Sequence, residues 1–376
     1  MFYLKYIILA FIVLNIPEIA VRNLGTTIGT ISSYSLFIFL LLYFLFKKDR
    51  GKVNVPLVVV GFLYYIISSF QSQWALGTFA FHAIKFFIVI ICANEVARDT
   101  TPKELSFLFV IGAISIILHP FLFEDNYYGR YSGFYFNPNS GAYAAITAFA
   151  LTFSYKKGLL KLGKTLLSSF GGLMTFSRTF VILWVLMNLL SIRLNIKNLR
   201  IIGYGIIALI VIVSLKDTLG LNTKRIDEFT ALANNDQRGA KGLTEDSRTA
   251  TWSHYYNLIY KKPLFGNGFH YFQGGHISSI KVGVHNSFLL ILGEAGVLPF
   301  IFFVLYIVYL LTQSYKRFMK APYLFMMTMA LTATLLADHG FFYLPIFPFV
   351  TMWIHNQINI EKEKESDINL KPMLTT

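Results

Sequence analysis

The chain has 376 residues, 55% of them hydrophobic and only 14% charged, with 37 Phe and 22 Tyr. That composition excludes a soluble globular enzyme and defines an integral membrane protein. A formal charge of +14 does not point to nucleic acid, because the Lys and Arg residues sit in short clusters between apolar runs, the pattern that orients a chain across a bilayer.

Apolar runs near the length that crosses about 30 Å of hydrocarbon recur throughout, and alternating short strands are absent. The predicted fold class is therefore all-α and polytopic. The single cysteine, Cys92, lies in one of these runs and can form no internal disulfide. Residues 2–20 lack a small-residue cleavage site and read as a retained first helix. A second, 27–46, ends in Lys47, Lys48, Arg50 and Lys52, which places that loop and the N-terminus in the cytoplasm. The third, 56–70, leads to an outer loop, 71–77. The fourth, 78–96, carries His82 and Lys85 in its outer half, where a cation is costly unless it faces protein or water or snorkels outward.

Arg98 and Lys103 mark the next inner loop, and the fifth helix, 105–123, opens on an outer loop, 124–139. Its Gly129-Arg130-Tyr131-Ser132-Gly133 and Asn137-Pro138-Asn139 are turn sequences. The sixth helix returns to Lys156, Lys157, Lys161 and Lys164. Two short helices, 165–176 and 179–192, share Ser177-Arg178-Thr179 between them, which sets Arg178 at the outer surface or slightly below it. The ninth, 201–215, feeds a large outer loop, 216–284. A tenth, interrupted near Gly293-Glu294-Ala295-Gly296, runs from His285 to Lys316, Arg317 and Lys320. The eleventh, 324–337, exits at Asp338-His339-Gly340, and the twelfth, 343–358, returns. The reading is a single domain, 1–360, of about twelve transmembrane helices with both ends inside, and a disordered cytoplasmic tail, 361–376.

The large loop concentrates the polar chemistry. Residues 216–243 read as an irregular or partly helical excursion. From Ser247 to Lys262 the chain has Trp252, Tyr255, Tyr256 and Ile259 at helical spacing, with Asp246 as N-cap, and such a helix can lie flat at headgroup depth. Arg248 in its first turn opposes the helix dipole unless an anion is held there. The alternative is a pair with Asp246 or Glu245 on a solvated face. Gly266-Asn267-Gly268 follows no strand, so it reads as a turn rather than a nucleotide loop. His285 opens a membrane helix at the outer surface, where a neutral imidazole can accept a proton or simply anchor the interface. His254, His270 and His276 have no metal-ligand spacing and read as structural or surface residues. His339 sits at an outer helix end. Arg22 and Arg130 are further outer cations, each readable as a headgroup anchor.

Taken in order, the segment from Arg130 to Asn139, Ser177-Arg178-Thr179, Ser247-Arg248 through Trp252 to Pro263 with Gly266-Asn267-Gly268, and His285-Asn286-Ser287 with Glu294-Ala295-Gly296 resemble the O-antigen ligase and O-antigen polymerase superfamily. The resemblance spans roughly residues 130–311. It implies a membrane glycosyltransferase related to the multispanning C-type class, taking an undecaprenyl-diphosphate-linked oligosaccharide as donor and a glycan hydroxyl as acceptor. It further implies that Arg178 and Arg248 hold the donor diphosphate and that His285 is the base, with Arg130, Lys85, Asn286, Glu294 and His339 as supporting residues. Inverting transfer without metal or cofactor follows from the same resemblance.

The chemistry of the residues agrees with it. Guanidinium is the side chain best shaped for phosphate oxygens, and two can stabilise a departing diphosphate where other transferases use a divalent ion. Around Arg22 to Thr26 no acidic metal motif appears. A polymerase of O-antigen, capsule or exopolysaccharide is preferred over a ligase to lipid A-core, because nothing in the large loop marks a pocket for an anionic core. Protein O-oligosaccharyl transfer and, from another class, transport of a lipid-linked glycan or an anion are the alternatives. Transporters place their binding groups near the midplane, whereas these gather at one surface. The expected setting is the bacterial inner membrane with the site on its periplasmic face, membrane lipids around it and a chain-length regulator as a further partner.

Overall fold

A computed structural model describes residues 1–123, 129–214, 248–275 and 280–370, together with residues 224, 227, 228, 231, 234, 236, 238 and 239. Asp246, Glu245, His276 and most of the excursion 216–243 lie outside the described residues.

The elements in chain order are α1 (Phe2–Val13), α2 (Ile16–Leu24), α3 (Thr26–Phe46), α4 (Val55–Ser69), α5 (Leu76–Arg98), α6 (Pro102–Leu122), α7 (Pro138–Leu151), α8 (Leu159–Met174), α9 (Arg178–Ile192), α10 (Leu199–Ser214), α11 (Arg248–Lys261), α12 (Ser287–Ala295), α13 (Val297–Lys316), α14 (Pro322–Leu335) and α15 (Ile346–Leu370). Among the described residues, α3, α5, α6 and α13 are long and apolar enough to cross a membrane, and α1 with α2 makes a fifth such span if the bent pair is one. The protein is thus an all-helical membrane protein.

Three expectations change. The first apolar run is two helices bent by 70°, since Asn15 adopts a left-handed conformation (φ 57°) and Pro17 cannot continue the preceding hydrogen-bond ladder. Helix α8 begins at Leu159, inside the expected lysine loop. Its Lys164 is buried and donates to the Tyr155 hydroxyl at 2.6 Å rather than lying in water. The segment expected as a disordered tail continues α15 to Leu370. Glu365 pairs there with Arg317 (2.9 Å) and Lys320 (3.2 Å), and Lys362 donates to the Tyr309 hydroxyl (2.8 Å).

The chain forms two compact units. One comprises Met1–Ile12, Ser33–Thr101 and His254–Thr376, the other Val13–Ser32 and Pro102–Ser253. In the first, α5 packs on α15 and α4, and α4 on α12 and α13. One end of that unit is tied by buried charge. Lys47 Nζ lies 2.9 Å from Glu95 and 2.8 Å from Asp99, the Tyr43 hydroxyl donates to Asp99 at 2.5 Å, and Trp353 Nε1 donates to Thr100 O at 2.8 Å. Glu95, whose side chain is almost wholly buried, persists there only because Lys47 and Arg98 pair with it, while Asp99 is exposed beside them. In the second unit α6, α7 and α8 pack on one another, with α9 and α10 beside them. Gly171 and Gly172 allow the contacts: a Cβ at Gly172 would fall 1.9 Å from the Phe180 ring.

Candidate functional site

In the second unit the loop between α6 and α7, from Gly129 on, is stapled to the junction of α8 and α9. Arg130 Nε donates to Thr175 O (3.1 Å) and its terminal nitrogen to Asn139 Oδ1 (2.9 Å), while Tyr131 N–H donates to Met174 O (3.3 Å). Phe176 turns the chain with φ 47°, and Ser177 caps α9 by accepting from Phe180 N–H at 3.4 Å. Arg178 is consequently the first residue of a capped helix and is exposed. The amides of a helix start and a guanidinium beside them form a local field that attracts anions. Arg130 is a brace for that turn. Arg22 of the same unit lies 4.4 Å from the Phe136 ring and pairs with Glu18 at 3.2 Å. Arg248 opens α11 as the sequence predicts, and is half-buried.

In the first unit the chain from α11 onward assembles around the break between α12 and α13. A break in a membrane helix strands carbonyls that hydrocarbon cannot satisfy. Here the turn after α11 satisfies them. Asn267 N–H donates to Gly293 O (2.7 Å), Gly268 N–H to Glu294 O (3.0 Å), and Val297 N–H to Pro263 O (2.9 Å). The approach is too close for side chains: a Cβ on Gly266, at φ +69°, would sit 2.4 Å from the Glu294 backbone. The glycine-rich turn is therefore structural, as read, and its function is to seal a helix break. Phe269 N–H goes on to Ser68 O at the end of α4 (3.0 Å).

Glu294 is fully buried at this break. Its carboxylate accepts from the Tyr64 hydroxyl (2.5 Å) and from Phe272 N–H (2.9 Å). Phe272 O in turn accepts from Val284 N–H (3.0 Å), which fixes the approach to His285. His285 has φ 46° and is exposed, and Asn286 behind it caps α12 by accepting from Phe288 N–H (2.9 Å) and Leu289 N–H (3.1 Å). Asn286 thus shapes the helix start. Ser287 Oγ donates to Asp338 O (2.7 Å), drawing the loop after α14 alongside. The rings of His285 and His339 meet edge to face at 4.8 Å. His339 Nδ1 is buried without a hydrogen-bond partner, and burial, then the nearby charges of His285 and His270, lower its pKa to about 4.

His270, read from sequence as structural or surface, lies 4.7 Å from Trp74, 5.5 Å from Tyr343 and 6.2 Å from His82 by ring centroids. No spacing announces this group, since its members come from four separate segments. Lys85 is held over the rings of Phe81 (4.0 Å), Tyr34 (5.1 Å) and Phe37 (5.3 Å). The structure therefore brings His285 and His339 together, places Glu294 behind them, and keeps Lys85 in an aromatic cage. Helix α11 is not wholly a headgroup element: Tyr255 is buried against Phe272 at 4.8 Å and donates to Val282 O (2.7 Å), while Tyr256 and Tyr260 remain exposed.

The chain is an all-helical membrane protein in which Arg178 and Arg248 each open a helix and His285 directly precedes the cap of another. Residues 165–304 match the family described as O-antigen ligase, and that match supports membership of the O-antigen ligase and polymerase superfamily. The matched segment contains Arg178, Arg248, His285 and Glu294. No curated protein matches the chain.

Proposed function

We propose that the protein is a polysaccharide polymerase that transfers an undecaprenyl-diphosphate-linked oligosaccharide to a sugar hydroxyl of a second lipid-linked glycan, by inversion and without a metal. The observation that carries this reading is the exposed, helix-opening His285 set against a neutral His339, within the polar loops of a chain whose matched segment also bears Arg178 and Arg248. In the reaction the acceptor oxygen forms a bond to the anomeric carbon as its proton passes to His285. The bond from that carbon to the diphosphate oxygen breaks, and the electron pair leaves with the diphosphate, whose charge Arg178 and Arg248 stabilise. His285 later releases its proton to water. The proposed setting is the bacterial inner membrane, crossed about twelve times with both ends inside and the site on the periplasmic face.

Gene deletion followed by gel analysis of surface polysaccharide tests the reading. Accumulation of single-repeat glycolipid supports a polymerase, whereas full-length lipid-linked polymer indicates the ligase. Purified protein given lipid-linked repeats should lengthen them unaided. Repeats that cross the bilayer as single units would indicate a transporter instead.

A further inference from the structure

The group around His270 has no part in the transfer step, yet its composition is not that of a lipid-facing surface. Trp74, His82, His270 and Tyr343 are all partly exposed, while Phe269 between them is buried. On the same helix as His82 the most exposed positions, Leu76 and Ile84, are aliphatic. Imidazoles add hydrogen-bond donors and acceptors that lipid chains cannot use, and a tryptophan face beside them suits a ligand with one apolar face and a rim of hydroxyls. A sugar ring is that ligand.

The group is also continuous with His285. Trp74 precedes α5, His270 follows the turn sealed against Glu294, and Tyr343 lies in the loop that carries His339. The Tyr343 hydroxyl is 3.4 Å from that of Tyr64, so the same buried carboxylate that anchors Phe272 steadies this wall. His270 lies near enough to His339 for its charge to be felt there, and His339 touches His285.

We propose that Trp74, His270, Tyr343 and His82 form the subsite for the acceptor glycan, the sugar next to the reacting one stacking on Trp74 while His339 and His270 hold its hydroxyls and present the reacting one to His285. The inference rests on the transferase reading above.

Two measurements test it. With purified protein, lipid-linked repeats as donor and the released repeat-unit oligosaccharide as the varied acceptor, Trp74→Ala should raise the acceptor KM by about tenfold while the donor KM and kcat stay within about threefold, as loss of one stacking contact would. Trp74→Phe should restore most of the affinity, and His270→Gln should show a smaller rise. An unchanged acceptor KM in Trp74→Ala and His270→Gln, or a fall in kcat alone, would overturn the subsite. The second measurement needs no variant: the repeat-unit oligosaccharide released from the organism's own polysaccharide should protect His270 of the wild-type protein from carbethoxylation by diethyl pyrocarbonate, read by peptide mass. Full modification of His270 at saturating oligosaccharide would overturn it as well. Wild-type protein that binds the oligosaccharide but never lengthens lipid-linked repeats would instead remove the transferase reading and leave a glycan-binding surface.

Discussion

The Tyr64 hydroxyl donates to the Glu294 carboxylate at 2.5 Å, and both groups are fully buried. Through this bond α4 is tied to the α12–α13 break, and a circuit closes: Glu294 to Phe272, Phe272 to Val284, His285 to His339, and the His339 loop through Tyr343 back to Tyr64. Removing the carboxylate strands two buried donors, each worth about 1–3 kcal/mol when unsatisfied. Glu294→Ala should therefore lower the thermal midpoint in detergent well below that of Tyr64→Phe, which removes only one partner. Both should lengthen glycan more slowly per folded molecule, because the histidine pair loses its backing. Midpoints and turnover equal to wild type in Glu294→Ala would show that the circuit positions nothing.

The turn that seals the helix break makes a sharper steric prediction. Gly266→Ala must place a methyl 2.4 Å from the Glu294 backbone at φ +69°, and Gly268→Ala one 2.3 Å from Gln71 O at φ +100°. Backbone cannot yield as a flexible side chain does, so each should cost about 2–4 kcal/mol or prevent accumulation of folded protein. Gly163→Ala, in α8 with open space at its Cβ, is the control and should be neutral or slightly stabilising. Comparable loss in all three, measured as monodisperse yield and thermal midpoint, would contradict the close approach.

Much of this architecture is written in hydropathy. The apolar runs of α3 to α7 and α9 to α14 end within a few residues of where period and basic clusters put them, and the break near Gly293 is visible because Gly, Glu and Gly interrupt an apolar run. The bend at Asn15 is not, since a single left-handed residue leaves no periodic trace. The helical tail is not legible for a related reason: its Glu365 is held by Arg317 and Lys320, far away in sequence. In the site, His285 and Arg178 are legible because each opens a helix. Tyr64 and His270 are not, because their partners, Glu294 and Trp74, lie in other segments and follow no shared motif. The seal between Gly266-Asn267-Gly268 and the helix break is legible only in part: both motifs stand out, but nothing in their spacing says that one closes the other.

Arg178 and Arg248 carry the charge demand of the proposed reaction. Arg178→Ala and Arg248→Ala should each abolish polymer in cells while protein level stays near normal, Arg178 being exposed and Arg248 only half-buried, neither part of a packed core. Lys at either position should also be damaging, since a point charge does not reproduce a planar fork on phosphate oxygens. Gel ladders of surface polysaccharide read the outcome. Wild-type chain lengths in both Ala variants would withdraw the diphosphate assignment, and full activity in both Lys variants would show that charge alone suffices.

The low pKa of His339 gives a pH signature with a definite sign. Burial and the charges of His285 and His270 hold it at about 4, against 6.5 for an unperturbed imidazole, so at neutral pH it sets no positive charge beside His285. Between those values the unfolded chain binds a proton that the folded chain refuses. The stability contributed by a neutral His339 is therefore complete above pH 6.5 and is lost as pH falls toward 4. The loss is about 3 kcal/mol at most, and His285 and His270 are the charged neighbours that add to the effect of burial. His339→Asn removes the group, so its thermal midpoint in detergent should fall less steeply than that of wild type as pH drops from 6.5 to 4. Parallel curves across that window would mean that His339 is protonated as readily in the folded protein as in the unfolded chain, and that the fold does not hold the imidazole beside His285 neutral.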